Sequence, residues 1–284
     1  MKNLILAIMI LCAPLAYGQK YRNGSAATYD AYSPTEISLG NATGRSSVNK
    51  FGAAPDFDQS DGEVTVWDGA DDATAWELMR YQYSTTGDID SVSSSATGDV
   101  YLTTFEGLDS STNPLVQTVT LNGQTRVGFA TNFYRIFRGY NANGSMFTGH
   151  VIAYTNNSLT AGVPDANGSI RCVIQPENQQ TEMAVFTVAA GKKLVIHSLY
   201  AYTAGASKSS DYVVRLYARK PGQVFRLKFH GVMNDVASSE IEHPIPIPLT
   251  FTEGTDIEMT VEIPSGTANA AGITAGWSSE LVDN

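Results

Sequence analysis

Short runs in which apolar and polar residues alternate recur from residue 62 towards the C-terminus. A period of two places successive side chains on opposite faces of a strand, so these runs predict half-buried β-strands. The predicted runs are 62–69, 117–131, 150–155, 169–174, 182–188, 193–203, 211–219, 223–232 and 256–263. Residues 73–84 form the only helix candidate. The pattern therefore predicts an all-β fold.

Two turn signals refine this prediction. The Asn122–Gly123 pair lies between alternating runs, and a tight hairpin favours this pair because both central residues need positive φ. Pro244, Pro246 and Pro248 alternate in the run PIPIP. Three prolines remove three ladder donors, so this run predicts an edge strand or an arm lying over a neighbour.

The strands fall into two groups separated by the polar segment 175–182, QPENQQTE. Such a segment is typical of a domain boundary. We therefore predict an N-terminal β domain over 48–178 and a C-terminal jelly-roll-like β-sandwich over 179–284. Residues 19–47 are rich in Gly, Ser, Ala, Thr and Tyr, which predicts an extended arm or linker.

The first 18 residues have the pattern of a secretory signal peptide. Lys2 precedes an apolar run from Leu4 to Leu15, and the small residues Ala16 and Gly18 precede a cleavage site before Gln19. The run is shorter than the roughly 20 residues needed to span a membrane. The pattern thus predicts export and no membrane span, and burial of the run as an assembly anchor is the other reading.

Charge and cysteine content exclude several classes of protein. The formal net charge is −10 and the pI about 4.8, with no cluster of Lys and Arg, which argues against direct nucleic-acid binding. Cys12 lies in the signal-like run and leaves Cys172 alone in the remaining chain. The fold is therefore expected to depend on packing, with neither an internal disulfide nor a Cys-only zinc site.

Candidate chemistry is sparse. The carboxylates of Asp56, Asp58 and Asp61 stand at positions 1, 3 and 6, whereas a calcium loop uses 1, 3 and 5 with Gly at 6. Asp and Gly also build turns between strands, which is the reading we prefer, and calcium binding by the acidic segment Asp56 to Asp72 stays open. Four histidines lie far apart in the sequence: His150, His197, His230 and His243.

No nucleophile elbow or phosphate loop is present in the sequence. We therefore expect no enzyme activity, no catalytic or metal-binding residues and no cofactor. The better functional lead is aromatic: Tyr200 and Tyr202 share one strand face by period two, as do Tyr212 and Val214 on the next strand. Such faces stack on sugar rings, fill subunit interfaces or simply fill a core.

One longer pattern carries a resemblance to a known class of proteins. It begins with VNKFGAAPDFDQSDGEVTVWDGADD at residues 48–72, here called the signature segment. It continues in these later segments: GLD at 107–109, QTVTLNGQTRV at 117–127, RIFR at 135–138, GKKLVIHSLYAY at 191–202, VVRLYARKPGQVFRLK at 213–228, EGTDIEMTVE at 253–262 and AGWSSELVDN at 275–284. Over residues 48–284 the chain resembles structural virion proteins of tailed bacteriophages, of the marine-phage type.

The resemblance implies a non-enzymatic fibre, head-decoration or tail-associated subunit located in the virion. Its expected partners are copies of itself, with a homotrimer expected by analogy of fold, and other virion proteins. The alternative, suggested by residues 1–18, is an exported surface adhesin that binds cell-surface carbohydrate. A third reading is a filament in which the β-prone residues 36–40 are donated to a neighbouring copy.

Overall fold

A computed structural model describes residues 33–71, 74, 76–204, 211–234, 240–265 and 271–284. The signal-like residues 1–18 and the first part of the predicted arm lie outside the described residues. The elements in chain order are α1 (Pro34–Ser38), β1 (Arg45–Phe57), β2 (Val64–Thr65), β3 (Ile89–Ser94), β4 (Leu102–Leu108), β5 (Pro114–Thr120), β6 (Val127–Phe133), β7 (Arg135–Asn141), β8 (Val151–Thr155), β9 (Leu159–Thr160), β10 (Val163–Pro164), β11 (Ile170–Ile174), β12 (Val185–Thr187), β13 (Lys192–Ala204), β14 (Asp211–Arg219), β15 (Arg226–Asn234), β16 (Glu240–Thr252), β17 (Asp256–Ser265) and β18 (Ala271–Asp283). The all-β prediction is confirmed.

The C-terminal part forms a sandwich of two antiparallel sheets. One sheet has the order β1-β18-β13-β16, and the other has the order β12-β17-β14-β15 with β2 added to β17. Inward side chains of both sheets form one core, with Leu194 and Trp277 on the first sheet and Val214 and Met259 on the second. The alternation seen in the sequence matches these inward positions, because strand side chains have a period of two.

The N-terminal part has its own pair of sheets, β11-β8-β3-β6 and β5-β4-β7. Phe129 lies at the centre of their core, with edge-on ring contacts to Phe105 at 5.2 Å and to Phe133 at 5.0 Å. Strands β8 and β11 are buried on both faces, since Ala153 and Cys172 belong to this core and Ile152 and Val173 to that of the sandwich. The two cores therefore share one layer, which explains the continuous apolar runs of these strands.

Strand pairing crosses the boundary predicted at residues 178 and 179. β1 pairs with β18 from Arg45 to Phe57, and β2 pairs with β17. All strands after residue 179 do lie in the C-terminal sandwich. The sandwich thus includes two strands from the other side of the predicted boundary, and independent folding of the two parts stays a prediction.

A buried ion pair connects the two parts. Arg135 on β7 is 2% exposed, and its guanidinium donates to both carboxylate oxygens of Asp256 on β17 at 3.1–3.2 Å. The same guanidinium donates to the backbone oxygen of Ser84 at 2.7 Å and lies 3.8 Å from the centre of the Tyr134 ring. Because each donor has an acceptor, the buried charge is fully compensated.

Three local predictions are wrong. No described residue of 73–84 is helical, because the segment crosses the sandwich with Trp76, Leu78 and Tyr81 buried. A turn does form at Asn122–Gly123, but the flanking β5 and β6 belong to different sheets and are not a hairpin. The β-prone residues 36–40 include the end of α1, which Pro34 and the Ser33 cap favour.

The edge position predicted for the proline-rich run is confirmed. It lies in β16, which pairs only with β13 at the edge of its sheet. Ile196 pairs with Leu249 and Ser198 with Pro244, so four residues of β16 stand opposite one residue of β13. This bulge turns Ile247 outwards, where it is 85% exposed.

Candidate functional site

The signature segment forms structural elements of the sandwich. Asp58 and Asp61 build a turn: Asp58 accepts from the Ser60 N–H at 2.5 Å, and Asp61 accepts from the Asp58 N–H at 2.6 Å. The hydrogen bonds that the Ser60 hydroxyl and the Ser60 N–H donate to the Asp58 carboxyl hold its pKa below the usual range. The carboxylate pair thus caps a short 3-10 turn over Gln59–Asp61, as the turn reading of the sequence predicts.

The later carboxylates of the segment are buried elsewhere. Asp68 accepts from the Glu182 N–H at 2.6 Å, and burial raises its pKa well above the usual value. Asp71 accepts from the Gln175 side chain at 3.1 Å. Among the residues that the structure describes, no three His, Cys, Asp or Glu side chains converge on a metal position. Asp72 lies outside the described residues.

Lys50 is the unusual charged residue of the segment. Its ammonium donates to the Phe137 backbone oxygen of β7, and its side chain is 9% exposed. Burial lowers its pKa from 10.5 to about 7. It lines a crevice of about 430 Å³ between β1 and the N-terminal part. Lys50 therefore acts as a second polar contact between the two parts of the fold.

The predicted aromatic face divides into two roles. Tyr212 is fully buried with Val214 in the sandwich core. Tyr200 and Tyr202 lie on the outer face, with ring centres 6.0 Å apart. Their hydroxyls donate to Asn49 at 3.2 Å and to Glu242 at 2.7 Å. Tyr200 also fills the space above Gly276, where an added Cβ would lie 2.7 Å from its hydroxyl, so this ring supports the sheet.

The structure does not bring the four histidines together. His150 has an edge-on contact with Trp76 at 4.7 Å, and His243 stacks beside Phe229 at 5.0 Å. His197 lies 3.3 Å from Glu280 on the outer face. None of these contacts joins two of the histidines.

The most exposed apolar surface of the sandwich lies along one side, where β15 and β16 are the edge strands of opposite sheets. We call this surface the open edge and define it by Leu227, Val232 and Ile247, which are 49%, 57% and 85% exposed. Contact between Phe229 and His243 shows that the two strands adjoin. β15 carries no proline, so its outer backbone groups are available for strand pairing.

Sequence reasoning did not identify the open edge. The signal was present, because the exposed residues Leu227 and Val232 lie on β15 among the exposed polar residues Arg226, Lys228 and His230. A bulge between the pairs Leu216–Phe229 and Tyr217–Leu227 determines which residues of β15 lie on its outer face. Alternation alone cannot locate a bulge. In the part of the chain that the structure describes, no helix is long and apolar enough to cross a membrane.

Comparison with known proteins gives little. No protein family and no curated protein sequence matches the chain. Among solved structures, the infectious bursal disease virus Gx strain matches at 8% identity and a TM-score of 0.25, over 84% of this chain and 72% of that chain. The Cry4Aa toxin from Bacillus thuringiensis matches at 7% identity and a TM-score of 0.20, over 66% and 43%. Likenesses of this size carry no argument about function.

Proposed function

We propose that this chain is a non-enzymatic structural subunit of a tailed-bacteriophage particle, of the fibre, head-decoration or tail-associated type. It acts by associating with copies of itself and by docking onto other virion proteins. The resemblance over residues 48–284 motivates the choice of particle, and a homotrimer is the expected assembly. The single observation that supports self-association is the open edge of the sandwich.

The open edge is suited to burial against protein. Large exposed apolar patches mark interaction sites in proteins. Leu227, Val232 and Ile247 are exposed on two adjoining edge strands. Full burial of one exposed Val, Leu or Ile contributes about 1.5–3 kcal/mol, so Leu227, Val232 and Ile247 together supply a substantial part of an interface. The free backbone of β15 adds hydrogen bonds that fix the register of such a contact.

The signature segment, residues 48–72, supports the same proposal. Asp58, Asp61 and Asp68 accept hydrogen bonds from backbone N–H groups, and the apolar residues Phe57, Val64 and Trp67 are fully buried. The described part of the segment therefore contributes to the architecture of the sandwich. This distribution of residues is expected of a structural subunit, which acts through its surface and its rigid fold.

Light scattering on the purified chain tests the proposal. The wild type is expected to be an oligomer, and the double variant Val232→Lys/Ile247→Lys is expected to be a monomer of unchanged fold. The matched control is Val116→Lys/Met146→Lys, two residues that are 61% and 63% exposed in the N-terminal part. A wild type that stays monomeric at all concentrations, or an oligomer that survives the open-edge variant, would contradict self-association through this surface.

A further inference from the structure

A basic groove lies beside the open edge, where the two sheets of the sandwich separate. It has a volume of about 330 Å³ and runs between the β14–β15 turn and the end of β16. Its cationic lining residues are Arg219, Lys220, Arg226 and Lys228. The whole chain has 18 Lys and Arg against 28 Asp and Glu, so composition does not explain this concentration of positive charge. The expectation that Lys and Arg do not cluster is therefore wrong.

Three of the four cations have no carboxylate partner among the described residues. Arg219 is compensated, because its Nε donates to Asp256 at 3.0 Å and its guanidinium stacks 4.4 Å from the centre of the Phe225 ring. Lys220, Arg226 and Lys228 form no ion pair within the described ranges. Uncompensated like charges repel one another, so their convergence favours an anionic ligand.

Strand register directs Arg226 into the groove. Arg226 pairs with Ala218, which is 3% exposed and belongs to the sandwich core. Paired residues of antiparallel strands lie on the same face, so Arg226 occupies a core-facing position. The Arg226 side chain is exposed and lines the groove, so its charge is accessible to a ligand from solution. The bulge that follows lets Lys228 line the same groove.

A second observation also points to a ligand. Thr255 lines the groove and is 3% exposed, and its hydroxyl has no hydrogen-bond partner in the described structure. Buried hydroxyls are rarely left unpaired, because an unsatisfied polar group costs about 1–3 kcal/mol. Thr250, Thr252 and Gln223 add further polar groups along the walls. The lining thus combines cations with neutral hydrogen-bonding groups.

We infer that the basic groove is a binding site for an acidic carbohydrate, a short glycan segment that bears carboxylate or sulfate groups. The cations bind the anionic groups, and the threonine hydroxyls and Gln223 bind the sugar hydroxyls. The volume is at the lower end of the range for small-ligand sites, which fits a short segment. A nucleic acid fits less well, because the Phe225 ring is engaged with Arg219 and Tyr83 and is not free to stack on a base.

Titration calorimetry with oligogalacturonate, chondroitin sulfate oligosaccharide and neutral maltohexaose tests the assignment. The acidic sugars are expected to bind the intact chain, with an affinity that falls as salt rises, and maltohexaose is not. Arg226→Met/Lys228→Met should weaken binding at least about tenfold, the loss expected when about 1.4 kcal/mol of contact is removed. The control Arg126→Met/Arg138→Met removes the same charge elsewhere and should bind as the wild type does.

Several results would overturn the inference. One is a lack of heat with both acidic sugars at millimolar concentration; another is equal loss in both double variants. Tighter binding of a single-stranded oligonucleotide would assign the groove to nucleic acid. If light scattering shows that the groove variant alone prevents self-association and no acidic sugar binds, the occupant is a second copy. If the open-edge variant loses self-association but still binds acidic sugars, self-association and sugar binding are separate properties. Each of the two proposals can then fail without the other.

Discussion

Two arginines of this chain differ in how their positive charge is compensated. Arg135 lies at the junction of the two parts and has a carboxylate, backbone oxygens and two aromatic rings around it. Arg226 lies at a core-facing position on an edge strand with no carboxylate partner in the described structure. The first charge is compensated within the chain, whereas the second is exposed to solvent and accessible to a ligand.

The comparison separates stability from function in this fold. Buried charge at the junction must be neutralised, because an unpaired buried ion costs several kcal/mol. Exposed charge at the edge costs little, so a cluster of cations can be kept there for binding. We therefore expect junction residues to control unfolding, and residues of the open edge and the basic groove to control association.

Breaking the junction should have the largest effect. Arg135→Met leaves Asp256 buried, with Arg219 and Thr187 as its remaining donors, and should lower the free energy of unfolding by about 3–5 kcal/mol. Urea unfolding followed by circular dichroism measures this loss. The control is Arg138→Met three residues along β7, an exposed residue bonded to Gln180, where a change within about 0.5 kcal/mol is expected. Equal effects of the two variants would contradict the junction account.

Lys50 gives an intermediate effect that depends on pH. Its pKa is about 7 in the folded chain, against 10.5 for a lysine that is fully solvated. Between these values the unfolded chain binds a proton that the folded chain does not, so stability rises with pH. The slope approaches about 1.4 kcal/mol per pH unit above the folded-state pKa, so the contribution is about 1.6 kcal/mol between pH 7 and 8.5.

The Lys50→Met variant should lose this part of the slope. Urea unfolding at several pH values between 7 and 8.5 measures it, with Lys228→Met as the control because that side chain is exposed. Between pH 7 and 8.5, the free energy of unfolding should rise less in the Lys50 variant than in the control, by the contribution calculated for Lys50. Parallel stability curves for the two variants would show that Lys50 is solvated in the folded chain.

The smallest effect is expected at the basic groove. Arg226→Met removes a charge that has no ion-pair partner in the described structure, so the free energy of unfolding should change by less than about 0.5 kcal/mol. Thermal unfolding of this variant beside Arg135→Met measures the contrast directly. A loss comparable to that of Arg135→Met would mean that Arg226 is a structural residue, and the comparison between the two arginines would fail.

The sequence predicts those elements that depend on local pattern. The predicted bounds of β14 match the observed ones, because its alternation is unbroken, and the edge position of β16 follows from its prolines. The region 73–84 could not be predicted, since its conformation depends on contacts such as the Trp67 indole donating to the Leu78 backbone oxygen at 3.0 Å. Such tertiary contacts override local propensity.

The candidate sites depend on register, which the sequence leaves open. The open edge and the basic groove both arise from bulges in β15 and β16, and a shift of one residue exchanges the two faces of a strand. The resemblance in residues 48–72 marked a segment that proved architectural. The unpaired cations lie in residues 220–228, within the resembling segment 213–228 but outside residues 48–72, and the resemblance assigns them no role.

The most direct test of the proposed function is peptide mass spectrometry on density-purified particles from the native source. The account predicts peptides from residues 48–284 in nucleic-acid-filled particles, at a constant ratio to other virion proteins. Recovery only in a secreted or membrane fraction, with an N-terminus at Gln19, would contradict it and favour an exported surface protein.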